Sequence, residues 1–195
     1  MRRGLRLAVG VPWILGAVAF LMTGEALARG EDKSWEFGAY TLFSRHTNES
    51  EIDEAIGFGV RGAYYFRAAH TFEITVDNVG PDHADVDGLE FDVTKVGLAY
   101  VHNYATKGNQ KMSPYLTFGT GVVTAERQGP GGSAEDSSTI IQVGGGVRYF
   151  YGERVALRLD GRASHWHGEG MATPREGYFT FDVTVGVSIL WKGGK

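Results

Sequence analysis

Between Tyr178 and Trp191 the chain reads YFTFDVTVGVSILW, a stretch in which two kinds of residue alternate. Apolar and aromatic residues hold every second position, and most of the residues between them are small or polar. The apolar set is Phe179, Phe181, Val183, Val185, Val187, Ile189 and Trp191. A period of two places this set on one face of a β-strand, whereas the 3.6-residue period of a helix would scatter it. The stretch therefore predicts a strand with one apolar face.

The same alternation recurs along most of the chain from residue 35 onward. Such segments lie near 35–44, 56–66, 70–78, 91–104, 113–126, 138–151, 154–166 and 178–191. Shorter connections lie at 67–69, 105–112 and 152–153, and longer polar ones at 45–55, 79–90, 127–137 and 167–177. An even number of strands with alternating short and long links is typical of an antiparallel up-and-down barrel that crosses a membrane. We therefore predict an all-β, eight-stranded transmembrane β-barrel.

The polarity of the two faces distinguishes this barrel from a soluble one such as a lipocalin, whose outward face carries scattered charges. Here the apolar face has almost no charge, and the charged residues share the other face. We predict that ten of them form a charge network in the lumen: Glu36, Arg61, Glu73, Asp77, Lys95, Arg148, Arg158, Asp160, Arg162 and Asp182. Arg158, Asp160 and Arg162 alternate along one strand, so they face the same way, about 6–7 Å apart. Their further partners are expected among Glu73, Asp77 and Asp182.

Aromatic residues cluster toward the ends of the predicted strands. Six of them are expected at a membrane interface: Trp35, Tyr64, Phe66, Tyr149, Tyr151 and Trp191. Tyrosine and tryptophan have an apolar body and a polar tip, which suits the level of the lipid headgroups. This pattern supports a barrel whose apolar face meets lipid.

The first 28 residues have the pattern of a cleaved signal peptide. The basic residues are Arg2, Arg3 and Arg6, and the cleavage-like site is Ala26-Leu27-Ala28. The alternative, a permanent helical anchor, needs about 20 apolar residues in succession, whereas the apolar stretch 7–22 is interrupted by Pro12. We predict cleavage after Ala28, export, and one β-barrel domain over 29–195.

Composition excludes several other classes of protein. The chain has no cysteine, so neither disulfides nor lipid attachment at a cysteine can occur. Its net charge of −4 lacks the basic excess of a nucleic-acid-binding protein. After the signal peptide no apolar run is long enough for a transmembrane helix, so a membrane crossing requires a closed barrel.

Taken together, the eight alternating segments and the final strand ending in Trp191 resemble the small outer-membrane β-barrels of the OmpA/OmpX-like group. The chain departs from that group in continuing past the terminal aromatic residue with Lys192–Lys195. The resemblance implies the outer membrane as location, and outer-membrane lipids, lipopolysaccharide and the barrel-assembly machinery as partners. We predict a structural or surface-interaction role and no cofactor. Since side chains fill a barrel of eight strands, we do not expect a general pore, although a narrow channel is an alternative.

The segment at 162–170 is the most enzyme-like part of the chain. It resembles the His-x-Ser site of the outer-membrane lipid A deacylases, which are also eight-stranded barrels. His165 matches the base of that site, but His167 stands where the nucleophilic serine should be. Ester hydrolysis of this type needs a hydroxyl or thiol nucleophile, and Ser164 points to the opposite face of the strand. We therefore predict no enzyme, with a deacylase-like hydrolase as the alternative.

Two further patterns contain residue types that can bind metal ions. His165, His167 and Glu169 alternate, but a structural site needs three or four ligands and no reliable further ligand is evident. Acidic loop residues occur in two places: Asp82, Asp85, Asp87 and Glu90, and Glu49, Glu51, Asp53 and Glu54. The first set matches a calcium loop only in part. We predict no metal centre, and expect the first outer loop to attract divalent cations or basic ligands by its charge.

Overall fold

The structure is a computed structural model that describes residues 32–46, 54–81, 90–104, 111–129, 132–167 and 178–191. These residues form eight strands. The strands are β1 (Ser34–His46), β2 (Glu54–Arg67), β3 (His70–Pro81), β4 (Glu90–Asn103), β5 (Met112–Gly129), β6 (Gly132–Tyr151), β7 (Val155–His167) and β8 (Tyr178–Trp191). The predicted signal peptide lies outside the described residues.

All neighbouring strands pair in antiparallel fashion, and β1 closes the sheet against β8. The closing ladder runs from the pair Trp35 and Trp191 to the pair His46 and Thr180. The prediction of an all-β, eight-stranded, antiparallel barrel is confirmed. The described part of the chain contains no helix that is long and apolar enough to cross a membrane.

The connection between β5 and β6 differs from the prediction. Residues 127–137 were expected to form a long polar loop, but the two strands continue pairing up to Gly129 and Gly132. Only Pro130 and Gly131 stand between them. Apolar and polar residues alternate along a strand only where one face meets an apolar environment and the other a polar one. Backbone hydrogen bonds between strands do not depend on the side chains. A polar hairpin that extends past the apolar part of the barrel therefore lacks the alternation by which a strand is predicted.

The two faces of the barrel are inverted relative to those of a soluble protein. On the outer face, Phe58, Phe118 and Trp191 are 70%, 62% and 68% exposed. On the inner face, Glu36 and Glu73 are completely buried. Exposed apolar residues continue on every strand, so they form a belt around the barrel rather than a single patch. A belt of this kind is stable in contact with hydrocarbon and unfavourable in contact with water.

Glycine makes room for the large side chains inside. A Cβ at Gly59 or at Gly186 would collide with Tyr40, and one at Gly146 would lie 2.7 Å from the hydroxyl of Tyr115. These glycines lie on strands beside the two tyrosines. The lumen therefore holds whole tyrosine rings together with charged residues.

Candidate functional site

The lumen contains most of the buried charge in the described residues. Of the ten residues predicted to line it, nine are buried and Asp77 is half-buried. They divide into two groups along the barrel. The arginine cluster, at the middle and toward the end that holds Trp35 and Trp191, consists of Glu36, Arg61, Glu73, Arg148, Arg158, Asp160 and Arg162. The aspartate cluster, nearer the opposite end, consists of Asp77, Lys95 and Asp182.

Arg158 is the centre of the arginine cluster. Its Nη1 lies 3.0 Å from Oε1 of Glu36 and 2.7 Å from Oε2 of Glu73, and its Nη2 lies 3.3 Å from Oδ1 of Asp160. One guanidinium thus contacts carboxylates from three strands. The planar fork of arginine, with five N–H donors, makes such branching possible.

The other arginines extend this network. Nη1 of Arg61 lies 2.8 Å from Oδ2 of Asp160, and Nη2 of Arg162 lies 2.7 Å from Oε1 of Glu73. Nε of Arg148 lies 3.2 Å from Oε2 of Glu36. All seven ionic side chains are therefore joined, with four cations and three anions.

Tyrosine rings complete the packing around the guanidinium groups. The hydroxyl of Tyr115 accepts a hydrogen bond of 2.9 Å from Nη2 of Arg158, and the guanidinium of Arg148 lies 4.3 Å from the ring centre of Tyr115. The hydroxyl of Tyr65 donates to Glu36, and Arg61 lies 4.0 Å from the ring centre of Tyr40. Such cation–π contacts stabilise guanidinium groups that have been removed from water.

The aspartate cluster has fewer partners. Nζ of Lys95 lies 3.1 Å from Oδ2 of Asp182, and the hydroxyl of Ser44 donates a hydrogen bond of 2.6 Å to the other oxygen of that carboxylate. Asp77 accepts a hydrogen bond from the hydroxyl of Tyr40. With two anions and one cation, this cluster offsets the excess positive charge of the arginine cluster.

A small cavity lies between the two clusters. Its volume is about 10 Å³, close to the room that one water molecule needs. Asp77, Lys95 and Arg162 are among the residues that line it, together with Gln142. Among the described residues, neither Nε2 of Gln142 nor Nε of Arg162 has a hydrogen-bond partner. The packing leaves space for a single solvent molecule here rather than for a water-filled passage.

The six aromatic residues predicted at an interface lie on the outer face near the ends of β1, β2, β6 and β8. Five are exposed and Tyr64 is half-buried. The rings of Trp35 and Tyr64 lie 4.7 Å apart. All six are at the end of the barrel where β1 begins and β8 ends.

Sequence reasoning missed a second group at the same end. His70, on β3, and Tyr100 and His102, on β4, lie on the outer face with their polar atoms close together. The two histidines are register partners on neighbouring strands. A signal existed in the alternation of Tyr100, His102 and Tyr104, but the contribution of His70 required the strand register.

The enzyme-like segment places its groups on different faces. Ser164 is buried in the lumen, and His165 is half-buried on the outer face, where its ring lies 4.6 Å from that of Phe179. The side chain of His167, all of Glu169 and the acidic side chains of both loops lie outside what the structure describes. Among the described residues, no group of three or more His, Cys, Asp and Glu is arranged to hold a metal ion.

Comparisons with known proteins match only in three dimensions. No protein-family model matches the chain, and no curated protein does. Neisserial surface protein A is similar with a TM-score of 0.63 and 16% identity, over 81% of this chain and 99% of that one. Ail, the attachment invasion locus protein of Yersinia pestis, has a TM-score of 0.55 and 13% identity, over 82% of this chain and 99% of that one. The N-terminal barrel of Pseudomonas aeruginosa OprF has a TM-score of 0.53 and 15% identity, over 82% of this chain and 98% of that one.

These likenesses confirm the resemblance inferred from the sequence, at the level of fold. The chain is a closed, eight-stranded, antiparallel barrel of the kind found in small outer-membrane proteins.

Proposed function

We propose that this chain is an outer-membrane protein with a structural and surface-interaction role, and that it is not a general pore. The observation that carries the proposal is the combination of an apolar outer belt with a lumen filled by paired charges. The belt requires a hydrocarbon environment, and the filled lumen leaves the loops as the part available for recognition.

The proposal includes export and assembly of the barrel. Residues 1–28 act as a cleaved signal peptide, and the barrel domain occupies 29–195. The last strand ends in Trp191, which is 68% exposed on the outer face. There it is accessible to the barrel-assembly machinery during folding, and to lipid afterwards. Outer-membrane lipids and lipopolysaccharide are then the immediate partners.

A pore is disfavoured by the arginine cluster. Arg148 and Arg158 are at most 2% exposed, and their guanidinium groups are held by carboxylates and tyrosine rings from several strands. A narrow channel would need these contacts to separate. Purified protein in a planar bilayer should therefore show no stable open conductance, and steady porin-like currents would contradict the proposal.

A lipid hydrolase is disfavoured by the surroundings of His165. Its register partners are Ile141 on β6 and Phe179 on β8, and neither has a hydroxyl. Ser164 cannot serve as the nucleophile because it lies inside the barrel. Lipopolysaccharide incubated with the protein should release no fatty acid, and release that depends on His165 would restore the enzyme alternative.

The loops at the end opposite Trp35 and Trp191 are the proposed surface-recognition part. The similar barrel of Ail has been crystallised with the heparin analogue sucrose octasulfate, a polyanion. The first loop of the present chain instead carries Glu49, Glu51 and Asp53, which favour cations that bridge lipopolysaccharide, or basic ligands. Millimolar calcium or magnesium should raise the heat stability of the refolded protein, and the absence of any shift would remove this part of the proposal.

Cell fractionation and gel mobility test the location. The protein should be recovered in the outer-membrane fraction and should migrate differently in detergent gels before and after boiling. Protease added to intact cells should cut only within 47–53, 82–89, 130–131 or 168–177. Freely soluble periplasmic protein would refute the membrane assignment, and cutting at 67–69 or 152–154 would show the opposite orientation.

A further inference from the structure

Two histidines and a tyrosine converge on the outer face of β3 and β4, at the end of the barrel that holds Trp191. His70 begins β3, and His102 is its register partner near the end of β4. Tyr100 lies two residues before His102 and therefore on the same face. All three side chains are partly or largely exposed, and they lie at the barrel end that carries the interfacial aromatic residues, where the membrane meets water.

The Tyr100 hydroxyl lies close to a ring nitrogen of each histidine. The Tyr100 hydroxyl lies 2.5 Å from Nδ1 of His70 and 3.4 Å from Nδ1 of His102. The centres of the two imidazole rings are 5.1 Å apart. A single phenol oxygen is thus flanked by two imidazole nitrogens that come from different strands.

Packing in an aromatic belt does not require this arrangement. Phe66 and Phe72, which stack at 5.0 Å beside the group, show how apolar rings pack here without converging polar atoms. Interfacial tyrosine and histidine usually direct their polar atoms toward water and headgroups. Here the Nδ1 atoms of both histidines lie near the Tyr100 hydroxyl instead, so the three donor atoms are grouped as in a small chelating site.

The donor types and their spacing suit a transition metal. Imidazole nitrogen binds zinc and copper well, at about 2.0–2.1 Å from the metal. Ligands at that distance in a tetrahedral site lie about 3.3 Å from one another. The 3.4 Å between the Tyr100 hydroxyl and Nδ1 of His102 already matches this spacing. The 2.5 Å between the same hydroxyl and Nδ1 of His70 is too short, so a side-chain rotation must move the two atoms apart by about 0.8 Å.

We infer that His70, Tyr100 and His102 form a binding site for a divalent transition metal ion such as Zn²⁺ or Cu²⁺. Nδ1 of each histidine and the phenolate oxygen of Tyr100 supply three ligands, and water occupies the remaining position. Binding transfers the phenol proton to solvent, since the ligand is the deprotonated oxygen. The described residues place no carboxylate among these ligands, so the inference depends on the tyrosine as the third donor.

The test uses the full mature chain, refolded in detergent without a histidine tag, and titrated separately with Zn²⁺ and with Cu²⁺ by calorimetry. The variants are His70→Ala, His102→Ala and Tyr100→Phe. The matched control is the double variant His165→Ala with His167→Ala, which removes the other pair of histidines that are two residues apart in the sequence. An unboiled gel for each variant establishes that the barrel has formed.

The wild-type chain should bind one ion with high affinity. Loss of a group that only supports a ligand costs about 10- to 100-fold in metal affinity, so loss of either imidazole ligand should cost at least about 100-fold. Tyr100→Phe should weaken binding by about tenfold or more and should abolish the visible phenolate-to-copper absorption band. The control pair should leave the affinity unchanged.

Three outcomes would overturn the inference. One is the absence of saturable binding by the folded wild-type chain. Another is binding that is lost in the His165→Ala, His167→Ala double variant but retained in the other three variants. The third is an unchanged affinity and copper spectrum in Tyr100→Phe, which would remove the tyrosine from the site and with it the three-donor assignment.

Discussion

The two charged clusters inside the barrel satisfy their charges in different ways. In the arginine cluster, Arg158 contacts three carboxylates and one tyrosine hydroxyl, and its side chain is 1% exposed. In the aspartate cluster, Lys95 makes one ion pair, with Asp182, and the two side chains are 7% and 9% exposed. A buried charge is tolerated when hydrogen bonds and partners satisfy it, and its removal then leaves those partners unsatisfied. The first cluster should therefore respond more strongly to substitution.

The chemistry of the two cations explains this difference. The guanidinium group is planar, weakly hydrated and able to stack on aromatic rings, whereas the ammonium group of lysine is compact and strongly hydrated. Tyr115 and Tyr65 lie beside the guanidinium of Arg148. The cavity with room for one water molecule is lined by Lys95 and Asp182, and Arg162 is the one arginine of the other cluster that borders it. The strongly hydrated ammonium group thus lies beside the cavity, whereas three of the four guanidinium groups do not.

The largest effect is expected for Asp160→Ala. This carboxylate is the ion-pair partner of Arg61 at 2.8 Å and also accepts a hydrogen bond from Thr184. Its loss leaves a buried guanidinium without a carboxylate and should cost about 3–5 kcal/mol. Urea titration of the refolded protein in lipid vesicles measures this change. A loss below about 1 kcal/mol, as for a solvent-exposed pair, would contradict the assignment of these charges to a packed lumen.

A matched change one residue away tests the outer face instead. Leu159 is adjacent to Asp160, points outward and is 50% exposed. Leu159→Arg should destabilise the inserted barrel by about 2–4 kcal/mol if the position lies near the membrane midplane. The same vesicle titration applies, with Leu159→Ile as the control. If the arginine variant folded as well as the control, this face would not be in contact with lipid.

The aspartate cluster should lose less when its cation is removed. Lys95→Met leaves Asp182 with the hydrogen bond from Ser44 and with the neighbouring cavity. We expect a loss of about 2 kcal/mol, below the range for breaking a fully buried pair. The free energy of unfolding is measured by the same urea titration in lipid vesicles and compared with that of Asp160→Ala. An equal or larger loss for Lys95→Met would reverse the ranking of the two clusters.

The smallest effect is expected for Ser44→Ala. The serine donates one hydrogen bond to a carboxylate that Lys95 still neutralises. Its removal should cost about 1.5 kcal/mol, the lower end of the range for a hydrogen bond to a charged group. A double-mutant cycle with Lys95→Met measures the coupling between the two partners of Asp182. A coupling free energy near zero would show that they act on the carboxylate independently.

Several features of the lumen could be read from the chain, and others could not. Period-two alternation was sufficient to assign the ten charged residues to one face, because facing direction depends only on position along a strand. The partners could be predicted only in part. Glu73 was one of three acids expected as partners, and it pairs with both Arg158 and Arg162. The other two, Asp77 and Asp182, form no ion pair with these arginines among the described residues, and the shortest contact of Asp160 is with Arg61 on β2, which was not expected.

The same limit applies outside the lumen. The alternation that identified the aromatic residues also contains Tyr100 and His102, yet His70 joins them only because β3 and β4 pair in one particular register. The hairpin formed by β5 and β6 was missed because its polar strands lack alternation, although the backbone pairs as far as Gly129 and Gly132.

By itself, the sequence determined the number of strands, the face that each side chain occupies and the membrane-compatible polarity of the barrel. These properties are local, since each follows from the identity of residues two positions apart. The tertiary structure alone decided which charges pair across the lumen, where the cavity lies and which histidines meet. Those properties depend on the register and tilt that all eight strands adopt when β1 closes against β8, and a shift of one residue at any ladder would reassign them.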